Sequence, residues 1–190
     1  MITLSKISYS IAWFLYPLFY LIQLSVRGFQ ALFGYYLLIT ITNKKAGCRI
    51  RGYGRFIKSE NISLGKAVHI GEGAHFVSHG GITIGRNTII SRNCTIRSRD
   101  HAYDGDLIPF SKSYNDSPVV VGKGVWIGMN VTVNPGVNIG DFCILASNAV
   151  VTRNVPEGEV WGGVPAKKIA SRDILKWRTL AAQNKWLVDS

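Results

Sequence analysis

The 190-residue chain carries 22 Lys and Arg against 11 Asp and Glu, a formal charge of +11, yet only 17% of its residues are charged and 47% are hydrophobic. That length suits one domain with a core of its own plus an appendage, and the charge points to an anionic partner: nucleic acid, an acidic lipid surface or a phosphorylated small molecule. Cys48, Cys94 and Cys143 form no CxxC pair and would leave an odd thiol, which argues against a disulfide scaffold and for a reducing compartment.

The chain opens with an apolar stretch. From Ile7 to Asn43 only Arg27 is charged, and Ile7–Val26 is about as long as one bilayer crossing. Pro17 interrupts that run, and Tyr9, Trp13, Tyr16 and Tyr20 favour the membrane–water boundary, so a kinked helix pair lying in one leaflet fits as well as a span. A signal peptide fits poorly, because Lys6 is the sole basic residue before the run and no A-x-A site closes it. The remaining alternative is a helical pair packed on a soluble assembly.

A basic cluster follows, Lys44, Lys45, Arg49, Arg51, Arg55 and Lys58, with no acidic residue before Glu60. Beside an apolar segment such a cluster suits anionic headgroups on the cytoplasmic side, each charge adding about 1 kcal/mol near the surface. Nucleic acid is not expected as a partner, since no stacking array or groove-reading helix accompanies the cations.

Next comes a repeat. Leu64, Ile70 and Phe76 fall six apart, and after a two-residue slip Ile84, Ile90 and Ile96 do the same; Val121, Ile127, Val133, Ile139, Leu145 and Val151 then run without a break. Glycine often follows the aliphatic, and a small or β-branched residue stands two before it, including Cys94 and Cys143, which are expected to be buried. A period of six fits neither an α-helix nor a hairpin, whereas three hexads make one triangular coil of a parallel β-helix. Asparagine and glycine ease the corners, and coils stack about 4.8 Å apart. Residues 50–98 and 119–155 predict roughly five coils.

This pattern, with GVWIGMNVTVNPGVNIGDFCILASNAVVTRNVPEGEVWGGVPAKKI at residues 124–169, resembles the hexapeptide-repeat acyltransferases, and among them the sugar O-acetyltransferases such as galactoside and maltose acetyltransferase. The resemblance covers about residues 60–170. It implies an all-β, left-handed parallel β-helix, three chains around a threefold axis with active sites between them, and acetyl-CoA as donor with no metal. The expected organisation is an apolar helical membrane-associated segment at 1–43, the β-helix at 44–170 with an excursion at 99–118, and a C-terminal helix in 171–190, capped by Ser171. Attached in this way, the protein is expected at the cytoplasmic face of the inner cell membrane, peripheral or monotopic.

The excursion gains no stacking bonds and costs ordering entropy, which suggests use. His101 stands at its base, and a neutral imidazole suits removal of a proton from a sugar hydroxyl attacking a thioester. The resemblance implies a catalytic histidine here. Asp100 is a candidate to orient the ring or shape the acceptor pocket, and Tyr103, Asp104 and Asp106 are candidates to bond sugar hydroxyls. Where related enzymes often carry an asparagine, this chain offers His75, Ser78 and His79. Trp126 precedes an inward aliphatic and so faces outward, and the resemblance implies that it lines the cleft between subunits, near both acceptor and pantetheine.

For the coenzyme, the resemblance implies contacts from Met129, Ser147, Thr152, Arg153, Gly163 and Lys167, with Lys168 as a second basic candidate. Zinc is not expected, because no histidine follows His101 and only His69, His75 and His79 precede it. Two alternatives stay open: an N-acetyltransferase of an amino sugar or amino acid with the same donor, and a noncatalytic membrane-bound trimeric scaffold. The acceptor expected for a membrane-side enzyme is a sugar, lipid-linked or part of a cell-surface polysaccharide.

Overall fold

The computed structural model describes residues 24–26 and 28–188, which wind into a left-handed parallel β-helix of three walls. The expected span Ile7–Val26 lies, but for its last three residues, outside the described part. The first wall stacks Asn43–Lys44, Ile62–Leu64, Ile82–Ile84, Val119–Val121 and Asn138–Ile139. Arg49–Ile50, His69–Ile70, Ile89–Ile90, Trp126–Ile127, Ile144–Leu145 and Glu159–Gly162 build the second wall, which the antiparallel strand Lys167–Ser171 closes. The third holds Gly54–Ile57, Ala74–Val77, Thr95–Arg97, Thr132–Val133 and Val150–Val151.

Five coils are complete and a sixth begins at Val155, so the helix starts one coil before the first recognisable hexad. That first coil escapes the pattern because Lys44 takes the place of an aliphatic: it is in register with Leu64, and its ammonium donates to the Ile41 carbonyl at 2.8 Å.

The repeat aliphatics form continuous inward columns. In the second wall Ile50, Ile70, Ile90, Ile127, Leu145 and Trp161 lie in register, and in the third Phe56, Phe76, Ile96, Val133 and Val151 do. Each fully buried member stabilises the prism by about 1.5–3 kcal/mol relative to exposure. Corners require special backbone. Asn130 and Asn148 both adopt positive φ, and the side-chain amide of the first donates to the second at 3.0 Å. A Cβ on Gly85 would lie 2.5 Å from both the Gly122 carbonyl carbon and the Lys123 nitrogen, so only glycine lets those coils approach.

The two-residue slip has a simple origin. Coils one to three repeat every twenty residues, Ile50 over Ile70 over Ile90, whereas Ile127 and Leu145 are eighteen apart. The extra residues sit at the corner from third to first wall, at Ser59–Asn61 and again around His79–Gly81. The excursion leaves the prism from this same corner.

A helix at 28–40, α1, covers the N-terminal end, with Leu37 and Ile41 buried against the core. A Cβ on Gly34 would overlap the Ile50 carbonyl, so that glycine sets how closely α1 approaches the first coil. Among the described residues no helix is long and apolar enough to cross a membrane. At the other end a helix Ile174–Ala182, α2, lies beside the second wall. Its cap is Asp173, whose carboxylate accepts from the Lys176 amide at 3.1 Å; Ser171 does not cap it, because Ser171 is paired with Glu159 as the last residue of the return strand.

Cys94 and Cys143 are buried two residues before Ile96 and Leu145, as the repeat requires, and burial pushes each thiol up to about 11. Raised thiols stay protonated and unreactive at mildly alkaline pH. Native protein should therefore react with Ellman's reagent at one thiol at most, Cys48, and at all three free cysteines once unfolded. Fast labelling of two native thiols would contradict this packing.

Candidate active site

The chain leaves the third wall at Arg97 and returns to the first at Val119. Ser98 anchors the departure. It is fully buried, its hydroxyl donates to the Val77 carbonyl and accepts from the Gly80 amide, both at 3.0 Å, and its carbonyl accepts from the Ser117 amide at 2.9 Å. Beyond it Arg99–His101 pairs antiparallel with Tyr114–Asp116, in the register Arg99 to Asp116 and His101 to Tyr114. The Arg99 guanidinium grips the Asp116 carboxylate through two bonds of 2.5 and 2.6 Å. This hydrogen bonding holds Asp116 below the usual carboxylate range, with the charge of nearby His79 acting in the same direction.

His101 thus rides on a strutted hairpin rather than on a free loop. Its ring, half-buried, lies 3.8 Å from the Phe110 ring and 4.7 Å from that of Tyr114, between centroids, and the Arg99 guanidinium sits 4.7 Å from the Tyr114 centroid. Stacking of this kind fixes a ring plane without a hydrogen bond. His101 Nδ1 is buried with no hydrogen-bond partner among the described residues.

Asp100 does not reach the imidazole. Its carboxylate accepts from the His101 main-chain amide at 3.0 Å and pairs with Arg97 at 3.6 Å, because adjacent side chains on a strand point to opposite sides. Tyr103, Asp104 and Asp106 are exposed on the outer part of the excursion, Tyr103 at 84%. Ser78 is wholly buried, so its hydroxyl does not face an open acceptor site, whereas His79 is half-buried, with Nδ1 unpartnered, next to the returning strand. His75 projects from the third wall between Arg55 and Thr95, and burial with the nearby Arg55 and Arg97 lowers its pKa.

Five of the coenzyme candidates fall along the two edges of the third wall. At one corner Met129, Ser147 and Gly163 stack: the Met129 amide donates to Ser147 Oγ at 3.2 Å, and the Gly163 carbonyl accepts from Val150 at 3.0 Å. At the other corner Thr152 and Arg153 are exposed just after Val151, below the excursion. Lys167 and Lys168 lie on the return strand. Lys168 is paired to Glu159 at 2.7 Å, and Lys167, exposed, has no partner among the described residues.

Trp126 stands elsewhere. It faces outward from the second wall between Ile89 and Ile144, 54% exposed, and borders a groove of about 450 Å3 shared with Trp177, Leu180 and Trp186. His101 and Trp126 therefore occupy different sides of one prism. Among the described residues no group of His, Cys, Asp and Glu is arranged to hold a metal ion.

Phe110, Tyr114, Arg99 and Asp116 belong to the site as well, although the repeat pattern does not single them out. The signal that finds them is the near-symmetric flanking of the excursion by Arg99 and Asp116, which marks a hairpin.

Residues 118–153 match the family model described as bacterial transferase hexapeptide (six repeats). The chain is similar to the Escherichia coli protein WbbJ, named for O-acetyl transfer in lipopolysaccharide biosynthesis, at 35% identity over 133 residues, 65% of each chain. It is also similar to Escherichia coli galactoside O-acetyltransferase, at 32% identity over 114 residues, 60% of this chain. The match spans 65% and 56% of those relatives' own lengths. Among solved structures, a hexapeptide-repeat acetyltransferase of Vibrio cholerae complexed with acetyl coenzyme A superposes with a TM-score of 0.66 at 26% identity, covering 72% of this chain and 75% of the other.

The Arg99–Asp116 strut has a consequence for dynamics. With the Asp116 carboxyl held low in the folded state, the pair is intact above the ordinary carboxylate range and is lost only as pH falls through the lowered value. Asp116→Asn should speed hydrogen exchange at the Ala102 and Ser111 amides a few-fold at neutral pH, the scale of an exposed ion pair, and leave the Ile127 amide unchanged. Unaltered exchange at Ala102 would mean that the strut does not hold the hairpin.

Proposed function

We propose that this hexapeptide-repeat chain is an acetyl-CoA-dependent O-acetyltransferase that acts on a sugar hydroxyl, with His101 as general base. The observation that carries the reading is the imidazole at the base of the excursion, packed against two aromatic rings on an ion-paired hairpin. The likeness to O-acetyltransferases and to a structure holding acetyl-CoA supports the donor. In the reaction, His101 takes the proton from the acceptor hydroxyl as its oxygen adds to the thioester carbonyl carbon. Collapse of the tetrahedral centre breaks the C–S bond, and the imidazolium returns its proton to the departing sulfur, so the acetyl group ends on oxygen and the proton on CoA. The corner of Met129, Ser147 and Gly163, where a Cβ on Gly128 would lie 2.7 Å from the Ser147 amide, suits a pantetheine arm, and Lys167 and Arg153 suit its phosphates.

His101, on the excursion's hairpin, and Trp126, on the second wall, lie on different sides of one prism, so a cleft that uses both requires two chains, which supports a homotrimer with its sites between subunits. Similarity to a relative named for lipopolysaccharide biosynthesis supports an acceptor in polysaccharide biosynthesis, lipid-linked or at the cell surface. The apolar start of the chain and the basic cluster beside it support work at the cytoplasmic face of the cell membrane.

Purified protein should transfer acetyl from acetyl-CoA to sugar acceptors, with an ester seen in the product by NMR; an amide would instead establish the N-acetyltransferase alternative, and no turnover the scaffold. His101→Ala should lower kcat by about two to four orders of magnitude with acetyl-CoA binding nearly intact. Activity within about threefold of wild type would remove His101 from the role of base. Mixing His101→Ala chains with Trp126→Ala chains should restore part of the activity, since some clefts then hold both native residues. A mass equal to one chain, corrected for detergent, would contradict the shared site.

A further inference from the structure

Helix α1 is apolar on both faces. Its inner stripe, Phe33, Leu37 and Leu38, packs on the core of the first coils. The opposite stripe is Phe29, Leu32, Tyr35, Tyr36 and Ile39, each between 51% and 70% exposed. No charged residue occurs from Gly28 to Asn43. A helix hydrophobic all round is stable against water only when its second face is covered as well.

The first coil, on which this helix packs, carries a row of cations. Lys45, Arg49, Arg51 and Arg55 are exposed on the first coil and have no acidic partner among the described residues, while Lys58 pairs with Glu60. Arg49 and Arg51 flank Ile50, the residue whose carbonyl Gly34 of α1 approaches. No acidic residue precedes Glu60, so nothing upstream in the chain balances them.

We propose that the outer face of α1, with the basic rim of the first coil, is a docking surface for a bilayer rich in anionic lipid. Helix α1 lies flat in the headgroup layer, Phe29, Leu32, Tyr36 and Ile39 enter the acyl boundary, and the four arginine and lysine side chains meet lipid phosphates. The charge selects this occupant over two others. A second copy seated face to face would bring two basic rims together. Residues 1–23, with Lys6 as their sole charge, offer no anion to the rim. This inference deepens the membrane-side reading above by giving it a surface, and stands apart from the acetyl-transfer reading.

Docking puts the first coil at the membrane and aims the later coils, with Met129 and Ser147, away from it. The excursion leaves after coil three, above the bilayer, with its base nearer the lipid than those corners.

The test uses the full chain carrying Cys48→Ser, with an environment-sensitive fluorophore on Leu32→Cys or, as control, on Tyr103→Cys. With vesicles of phosphatidylcholine plus phosphatidylglycerol, the probe at residue 32 should shift to the blue and lose access to an aqueous quencher, and the probe at 103 should not. Replacing Arg49, Arg51 and Arg55 by Gln should weaken partition about 100-fold, each charge contributing about fivefold near an anionic surface. Turnover of a soluble sugar acceptor should be unchanged, so failure here is separable from failure of the catalytic reading. A vesicle-bound protein whose residue-32 probe stays in water, a probe already buried without vesicles in a concentration-dependent assembly, or equal binding to pure phosphatidylcholine would each overturn the proposal.

Discussion

Everything in this molecule hangs on the backbone hydrogen bonds between coils. Many corner amides find their acceptors one coil away, as when the Gly71 amide meets the Ile90 carbonyl and the Ser91 amide that of Ile127, both within 2.9 Å. Because the parallel strands are only two to four residues long, no wall is stable alone. Stacking satisfies their polar groups while the inward columns exclude water, and each of these makes the other possible. The register they fix decides which side chains come outward and in what order, so Met129, Ser147 and Gly163 stand in line, the first two joined by the bond from the Met129 amide to Ser147 Oγ.

The prism was largely legible because its rule is local. An inward aliphatic recurs every six residues, a small one precedes it by two, and both follow from the radius of a triangular coil. What was not legible depends on partners distant in sequence. Lys44 hides the first coil because its role is to reach the Ile41 carbonyl, a contact that exists only once α1 lies across the end of the prism. Ser171 looks like a cap, yet strand pairing with Glu159 takes it and leaves Asp173 to serve.

The site divides in the same way. His101 was visible from its position at the break in the repeat. Its neighbours were not, since Phe110 and Tyr114 come to the imidazole only through a hairpin whose register Arg99 and Asp116 set across seventeen residues. Asp100, adjacent in sequence, is less intimate with the ring than residues nine and thirteen positions further on. Proximity along an extended strand separates side chains, whereas a hairpin brings distant ones together.

The widened corner between third and first walls has one further meaning. It admits two extra residues in each of the first two coils and twenty or so in the third, yet Ile82, Ile84, Val119 and Val121 remain in register across it. Length at this corner is therefore decoupled from the pitch of the solenoid. The segment between Ser98 and Ser117 behaves as an exchangeable cartridge: its size and chemistry can drift through mutation while the prism that receives it keeps its geometry, and a new recognition loop can arise here without the rest of the protein having to be rebuilt.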